Sequence, residues 1–145
     1  MSWERLVGGI DFGEGPRWHD GRLRYSDFHQ ATIYSVGIDG DRRAEHTDLP
    51  DRPSGLGWLP DGTLLVVFMT SRRLMRDAGD GTLVEHADLS GVATWHCNDM
   101  VVDDQGNAYV GNFGFDLHDP DADQRTTTLV LVTADGDVRV VLFVR

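Results

Sequence analysis

The sequence predicts an all-β protein made of about three antiparallel four-stranded blades of a six-bladed β-propeller, an incomplete ring. One observation is a turn-and-strand pattern that recurs about every forty residues. The turn glycines Gly21, Gly62 and Gly106 lie 41 and 44 residues apart. The other is a series of short runs rich in Val, Leu, Thr and Tyr, separated by Asp-Gly or Gln-Gly turns that supply the positive φ of tight hairpins.

A strand is predicted after each turn glycine, followed by a second strand and its own Asp-Gly turn. These strands are residues 23–28, 64–69 and 108–113, then 31–36, 72–76 and 128–133. A third strand is visible at 82–87 and 137–143. No segment keeps a period of 3.6 residues, so we expect almost no helix. A β-sandwich is the alternative, but it does not explain why the elements recur in register.

The chain is expected to form a single region, 1–145, the N-terminal part of a propeller. Its blades fall at approximately 10–50, 51–95 and 96–145, and residues 1–9 are predicted to be a strand that closes a missing last blade. Three blades are fewer than the about four to eight that close a propeller. We therefore expect a shortened piece of a larger propeller, or one half of an assembly that self-associates through its open edges.

The composition excludes several classes of partner. The formal net charge is −11 and all 13 basic residues are arginine, which argues against nucleic acid and anionic membranes. The single cysteine, Cys97, excludes an intramolecular disulfide and a multi-cysteine zinc cluster. No leader peptide and no run of about 18 apolar residues is present, so we expect a soluble, cytoplasmic protein.

Glu14 is the first candidate site residue. It lies between Gly13 and Gly15 and precedes Pro16, an arrangement that brings the backbone close to a ligand and stiffens the next turn. A solvated loop glutamate is the commoner explanation for a lone Glu. Its position on the connection to the innermost strand of a blade favours a metal ligand, because these connections surround the central channel of a propeller.

The third repeat places Asn98 and Asp99 where Glu14 and Gly15 stand in the first repeat. A carboxylate with carboxamide oxygens suits a hard divalent cation such as calcium. His96 and Cys97 suggest zinc instead, although two adjacent residues do not make a tetrahedral set. A substrate contact and an inert rim histidine are equally consistent with His96, and Cys97 is expected to be a small packing residue.

Other candidates are weaker. In the second repeat Arg52 or Ser54 can face the channel, while the glycines that follow are equally explained by turn geometry. The aspartates at 119, 121 and 123 lack the glycine, the final glutamate and the helices of an EF-hand. Residues 116–127 are therefore expected to be an inserted acidic loop. Asp27 and His29 are expected at the surface.

Four stretches carry a resemblance to a known family. They are Gly13-Glu-Gly-Pro-Arg-Trp18, Arg52-Pro-Ser-Gly-Leu-Gly-Trp-Leu-Pro-Asp-Gly62, His96-Cys-Asn-Asp-Met-Val-Val-Asp103 and Gly106-Asn-Ala-Tyr-Val-Gly-Asn-Phe-Gly-Phe115. In family order they resemble the senescence marker protein/gluconolactonase family of regucalcin-like six-bladed propellers. The resemblance implies one divalent metal in the channel, most often Ca²⁺ and sometimes Zn²⁺, and hydrolysis of a lactone-like small molecule.

The resemblance also implies site residues. Glu14 matches the first metal ligand, and Asn98 matches an asparagine near both metal and substrate, with Asp99 beside it. Family members with an arginine two residues before that asparagine use it to contact the sugar lactone, and this chain carries His96 there. Arg52 completes the expected substrate contacts.

Two further ligands, one of them the general-base aspartate, are expected beyond this chain, so no catalytic residue is assigned within it. Two oxygen donors fall short of a calcium site, and we expect the isolated chain to bind metal weakly or not at all. The implied function is a metal-dependent lactonase-type hydrolase, active only as an assembly. The alternatives are a non-catalytic fragment and a small-molecule or protein-binding module.

Overall fold

The computed structural model describes residues 4–144, and the side chains up to residue 141. Twelve strands make up the fold. In chain order they are β1 (Gly13–His19), β2 (Arg22–Asp27), β3 (Thr32–Val36), β4 (Arg42–His46), β5 (Pro53–Trp58), β6 (Leu64–Phe68), β7 (Arg73–Asp77), β8 (Leu83–Asp88), β9 (Cys97–Val102), β10 (Ala108–Asn112), β11 (Thr127–Val132) and β12 (Val138–Val144). The described residues contain no helix, and therefore they contain no helix that is long and apolar enough to cross a membrane.

The strands form three separate four-stranded sheets, β1–β4, β5–β8 and β9–β12. Every strand pairs antiparallel with its neighbour in sequence, so each sheet is a simple meander. The predicted all-β architecture is confirmed. The turn glycines Gly21, Gly62 and Gly106 all have positive φ, the conformation for which the sequence selects glycine at these turns.

The core lies between successive sheets. Ile33 of the first sheet packs with Leu56, Leu64, Val66 and Phe68 of the second. The opposite face of the second sheet packs on the third through Leu65, Val67, Leu74, Met100, Val110 and Val130. Because side chains alternate along a strand, β6 has to be apolar on both faces, and its five residues Leu64–Phe68 are all buried.

The innermost strands β1, β5 and β9 pack against one another in order. Their spacing depends on glycine. A Cβ at Gly55 would lie 2.6 Å from the backbone nitrogen of Met100, and one at Gly15 would lie 2.8 Å from the carbonyl oxygen of Ser54. Gly55 lies inside β5, so turn geometry, the alternative left open for this glycine, does not explain it. The close approach of β9 explains it.

Two further segments bear on the predictions. Residues 113–126 form the expected strand-free insertion between β10 and β11. Residues 4–12 form no strand, and residues 1–3 lie outside the described part of the chain. The prediction that residues 1–9 close a last blade stays a prediction.

Four of the twelve strands were not predicted: β4, and the inner strands β1, β5 and β9, whose residues were expected on the connections between strands. No apolar pattern marks β4, because four of its five residues, from Arg42 to Glu45, are exposed. A bulge opposite Ile33 and Tyr34 also breaks the register of this pair. A strand without an apolar face lacks the alternation from which strands are recognised.

Candidate functional site

The three inner strands place one polar side chain each at the same position. Glu14, Ser54 and Asn98 are the second residues of β1, β5 and β9. Each lies four residues before the position held by Trp18, Trp58 and Val102 in the three repeats. The equivalence of Glu14 and Asn98 that the sequence suggested therefore exists in the fold, with Ser54 between them. The side chains occur within the strands rather than on the connections before them.

Hydrogen bonds tie these strand beginnings together. The hydroxyl of Ser26 donates to the carbonyl oxygen of Ser54 at 2.7 Å and lies 3.1 Å from the carbonyl oxygen of Glu14. The hydroxyl of Ser54 donates to Oδ1 of Asn98 at 2.9 Å. Ser26 and Ser54 are fully buried, so these bonds are protected from water. The position of Asn98 is thereby fixed relative to Glu14.

The carboxylate of Glu14 is half-buried and makes no hydrogen bond or ion pair with any residue between 4 and 141. It borders a cavity of about 310 Å³ at the end of the inner strands. Aromatic side chains supply much of the wall: Phe12, Phe28, Trp95 and Phe113. Arg52 and His96 also line it, so three of the predicted site residues come together here.

Arg52 stands at the rim of this cavity. Its guanidinium carbon lies 4.8 Å from the centre of the Phe28 ring, a cation–π geometry. The loop before β5 is held by Asp51, whose carboxylate accepts N–H bonds from Arg52 at 2.7 Å and Ser71 at 2.7 Å. Burial raises the pKa of Asp51, but these bonds and one from Thr70 lower the pKa by more, and the net pKa is below its ordinary value. The anion is therefore the stable form in this loop.

His96 and Cys97 are adjacent and lie in different environments. The His96 ring stacks on Trp95 with centroids 4.7 Å apart, and burial lowers the pKa of His96 below its ordinary value. The imidazole is therefore neutral at pH 7. Cys97 is fully buried in the core, and burial raises its pKa to about 12. The thiol packs in the core, as expected, while His96 lines the cavity.

Asp99 lies outside the cavity. Its carboxylate accepts a 2.7 Å hydrogen bond from Nη2 of Arg17, which also donates to the carbonyl oxygen of Met100 at 2.5 Å. Arg17 belongs to β1, so this pair links the first inner strand to the third. The structure thus does not bring Asp99 to the side chains of Arg52 and His96.

The metal ligands that the family implies are only partly present. Among residues 4–144, no three His, Cys, Asp or Glu side chains converge to hold a metal ion. Glu14 and Asn98 offer oxygen atoms, but calcium takes about six to eight. The donor set of one copy of the chain does not fit calcium by itself.

Two further features of the site were not identified from sequence. Asp27 was expected at the surface, which is wrong: it is fully buried and accepts the backbone N–H of Asp11 at 2.8 Å and of Phe12 at 3.2 Å. An Asp that ends a strand before a turn is a common backbone acceptor, and this signal was available. Asp27 thereby positions Phe12 at the cavity.

The cavity wall also follows the repeat. Phe28, Met69 and Phe113 each come directly after the second strand of their sheets, and all three line the cavity. The inserted loop adds Asp116, Leu117 and His118. The repeat alignment contained the first three residues, but only the approach of the sheets shows that they share one cavity.

Three antiparallel four-stranded meanders, with their inner strands side by side and polar side chains at one end of them, define a chain of the β-propeller class. Residues 12–143 match the family model described as the SMP-30/Gluconolactonase/LRE-like region, and the chain belongs to this family. A search of curated protein sequences finds no match.

Solved structures show the same fold. A gluconolactonase from Xanthomonas campestris superposes with a TM-score of 0.79 at 18% identity, over 96% of this chain and 50% of that one. The calcium-binding protein regucalcin from Agrobacterium tumefaciens gives 0.68 at 20% identity, over 95% and 45%. A virginiamycin B lyase from Staphylococcus aureus gives 0.66 at 14% identity, over 89% and 40%. This chain spans half or less of the length of these proteins, which are matched in fold.

Proposed function

We propose that the chain forms the lactone-binding part of a lactonase-type hydrolase that depends on a divalent cation, calcium before zinc. The observation that supports this most is the shared position of Glu14 and Asn98 on the first and third inner strands, with Glu14 open to an aromatic cavity. Membership of the SMP-30/gluconolactonase family agrees with it. The cation takes its remaining ligands from outside a single copy of the chain, and no catalytic base is assigned to the residues described.

The residues of the cavity suit a small ring-shaped substrate with oxygen atoms. The faces of Phe12, Phe28 and Trp95 offer apolar contact to the ring. Arg52 supplies hydrogen-bond donors at the rim, and neutral His96 both donates and accepts. In this proposal Asn98 contributes an amide oxygen, and Asp99 acts by holding Arg17 rather than by direct contact.

The test is hydrolysis of a panel of aldonolactones, followed by acid release, in EDTA and after addition of Ca²⁺ or Zn²⁺. We expect activity that EDTA removes, and a loss of at least about 100-fold in kcat/KM for Glu14→Gln, since a charged ligand is lost. Asp104→Asn is the matched control: Asp104 is exposed and takes part in no hydrogen bond or ion pair recorded within residues 4–141. Equal activity of Glu14→Gln and the wild type would remove the assignment.

A binding module without chemistry is the second candidate, because a largely apolar cavity exists while the described metal donors are few. Lactone titration monitored by tryptophan fluorescence separates the two functions, since Trp95 lines the cavity. Saturable quenching that Trp95→Phe abolishes, with no hydrolysis at any metal concentration, would support the module over the enzyme. A cytoplasmic location stays a prediction, and cell fractionation checks it.

A further inference from the structure

The first sheet exposes a position that is partly buried against a neighbouring sheet in the other two. Trp58 packs on the preceding sheet, with its ring stacked 4.0 Å from the ring of His19 at an interplanar angle of 8°. Val102 packs likewise against the core between the second and third sheets. Trp18 is the equivalent residue of the first sheet, and 62% of it is exposed. The face of the first sheet that carries Trp18 therefore resembles the faces through which the second and third sheets pack on their neighbours.

The third sheet exposes the complementary position. A Cβ at Gly57 would overlap the side chain of Val102, so this row of the second sheet faces the sheet that follows. The same row of the third sheet contains Val101, Tyr109 and Leu131, which are direct neighbours in the strand register. Val101 is 60% exposed. Within residues 4–141 no sheet covers this apolar row.

A second copy of the chain would cover both faces at once. Each chain carries three sheets, and the superposed gluconolactonase structures are six-bladed and about twice as long. When the Trp18 face of one copy meets the Val101 face of the other, a two-fold axis produces the reverse contact as well. The arrangement closes and leaves no open face. Both contacts repeat the kind of packing that already joins the sheets within one chain.

We propose that two copies form one six-bladed ring in which Glu14 and Asn98 of both copies bind a divalent cation together. The inference rests on the proposed cation dependence and accounts for the shortage of ligands in one chain. Calcium takes about six to eight oxygen ligands. Two carboxylates and two amide oxygens supply most of them, and water molecules supply the rest. Without a cation the two carboxylates repel each other, so cation binding and assembly stabilise each other.

Sedimentation equilibrium of the purified 145-residue chain, in EDTA and in excess CaCl₂, tests the proposal. We expect a species of twice the 16.1 kDa chain mass, with a dissociation constant at least about tenfold lower in calcium. Trp18→Arg should give a monomer with unchanged circular dichroism. Ile38→Arg is the control, since Ile38 is 81% exposed and lies in the β3–β4 turn rather than on an inner strand, and this variant should dimerise.

Glu14→Gln tests the shared site separately from the interface. We expect this variant to dimerise as well in EDTA as in calcium, and at least as tightly as the wild type does in EDTA, because the repulsion is gone. A folded monomer at every concentration, a dimer that is indifferent to Trp18→Arg, or a Glu14→Gln dimer that still responds to calcium would each overturn the proposal. These experiments measure assembly and not lactone hydrolysis. A chain that dimerises with calcium but hydrolyses no lactone would therefore contradict the proposed function and leave the shared cation site intact.

Discussion

At the scale of single residues, adjacent side chains take opposite roles according to their surroundings. Burial disfavours the charged form of either group, so it lowers the pKa of His96 and raises that of Cys97. Cys97 begins β9 and faces the core, while His96 precedes the strand and lines the cavity. His96 is thus a neutral imidazole that a ligand can reach, while its neighbour Cys97 is an inert thiol in the core.

The lowered pKa of His96 gives a pH prediction. The pKa of unfolded His96 lies near the ordinary value of 6.5 and burial lowers the pKa of the folded residue, so between these two pKa values the unfolded state binds more protons. The free energy of unfolding should therefore fall as pH drops from 6.5 through the folded pKa. NMR titration should give a His96 midpoint below 6.5, and His96→Gln should lack this part of the pH dependence. A midpoint above 6.5 would contradict the prediction.

At the scale of elements, each inner strand has an irregular register close to its site residue. The pairing shifts between Glu14 and Arg17 in β1, between Pro53 and Leu56 in β5, and opposite Val110 and Asn112 in β9. A β-bulge bends a strand and redirects its side chains. The three register shifts thus bend β1, β5 and β9 close to Glu14, Ser54 and Asn98.

The close packing of the inner strands makes Gly55 sensitive to a single methyl group. Gly55→Ala should lower the free energy of unfolding by about 3 kcal/mol, because the new Cβ meets the backbone of β9, which cannot rotate away. Gly91→Ala is the matched control, since no atom lies within 4 Å of its added Cβ and its φ is not positive. Urea denaturation of both variants measures the difference. Equal stability of the two variants would show that β5 and β9 are not in close contact.

At the scale of the whole molecule, a different cavity lies at each end of the inner strands. The site cavity lies where the inner strands begin. A larger cavity of about 680 Å³ lies at the other end, between the first and second sheets. There His46 and Asp77 form a 3.3 Å pair, and Arg24 lies over Trp58. These contacts join neighbouring sheets, and this cavity contains none of the predicted site residues.

The charge of the whole chain predicts a response to salt. With 24 acidic and 13 basic residues, the folded chain repels itself more strongly than the expanded chain does. Raising ionic strength from about 0.01 M to about 0.15 M shortens the Debye length from about 30 Å to about 8 Å. The melting temperature should therefore rise across this range at pH 7, as followed by circular dichroism. A fall would show that the surface ion pairs outweigh the net repulsion.

Local chemistry made much of the fold and part of the site predictable. The repeat spacing, the positive φ of Gly62 and the matching positions of Glu14 and Asn98 all follow from short-range patterns. Turn chemistry and strand alternation act within a few residues, so a sequence displays them directly. The strand β4 escaped because its side chains face water and carry no such pattern.

Contacts between sheets were decided by the tertiary structure alone. Asp99 is separated from the cavity because Arg17, 82 residues earlier in the chain, binds it. Gly55 is required because β9 approaches, and Asp27 is buried because residues 11 and 12 return to it. The sequence by itself determined the blades, the family resemblance and the candidate ligand Glu14. The distances between blades determined what surrounds that ligand, because burial and pairing depend on atoms far apart in the chain.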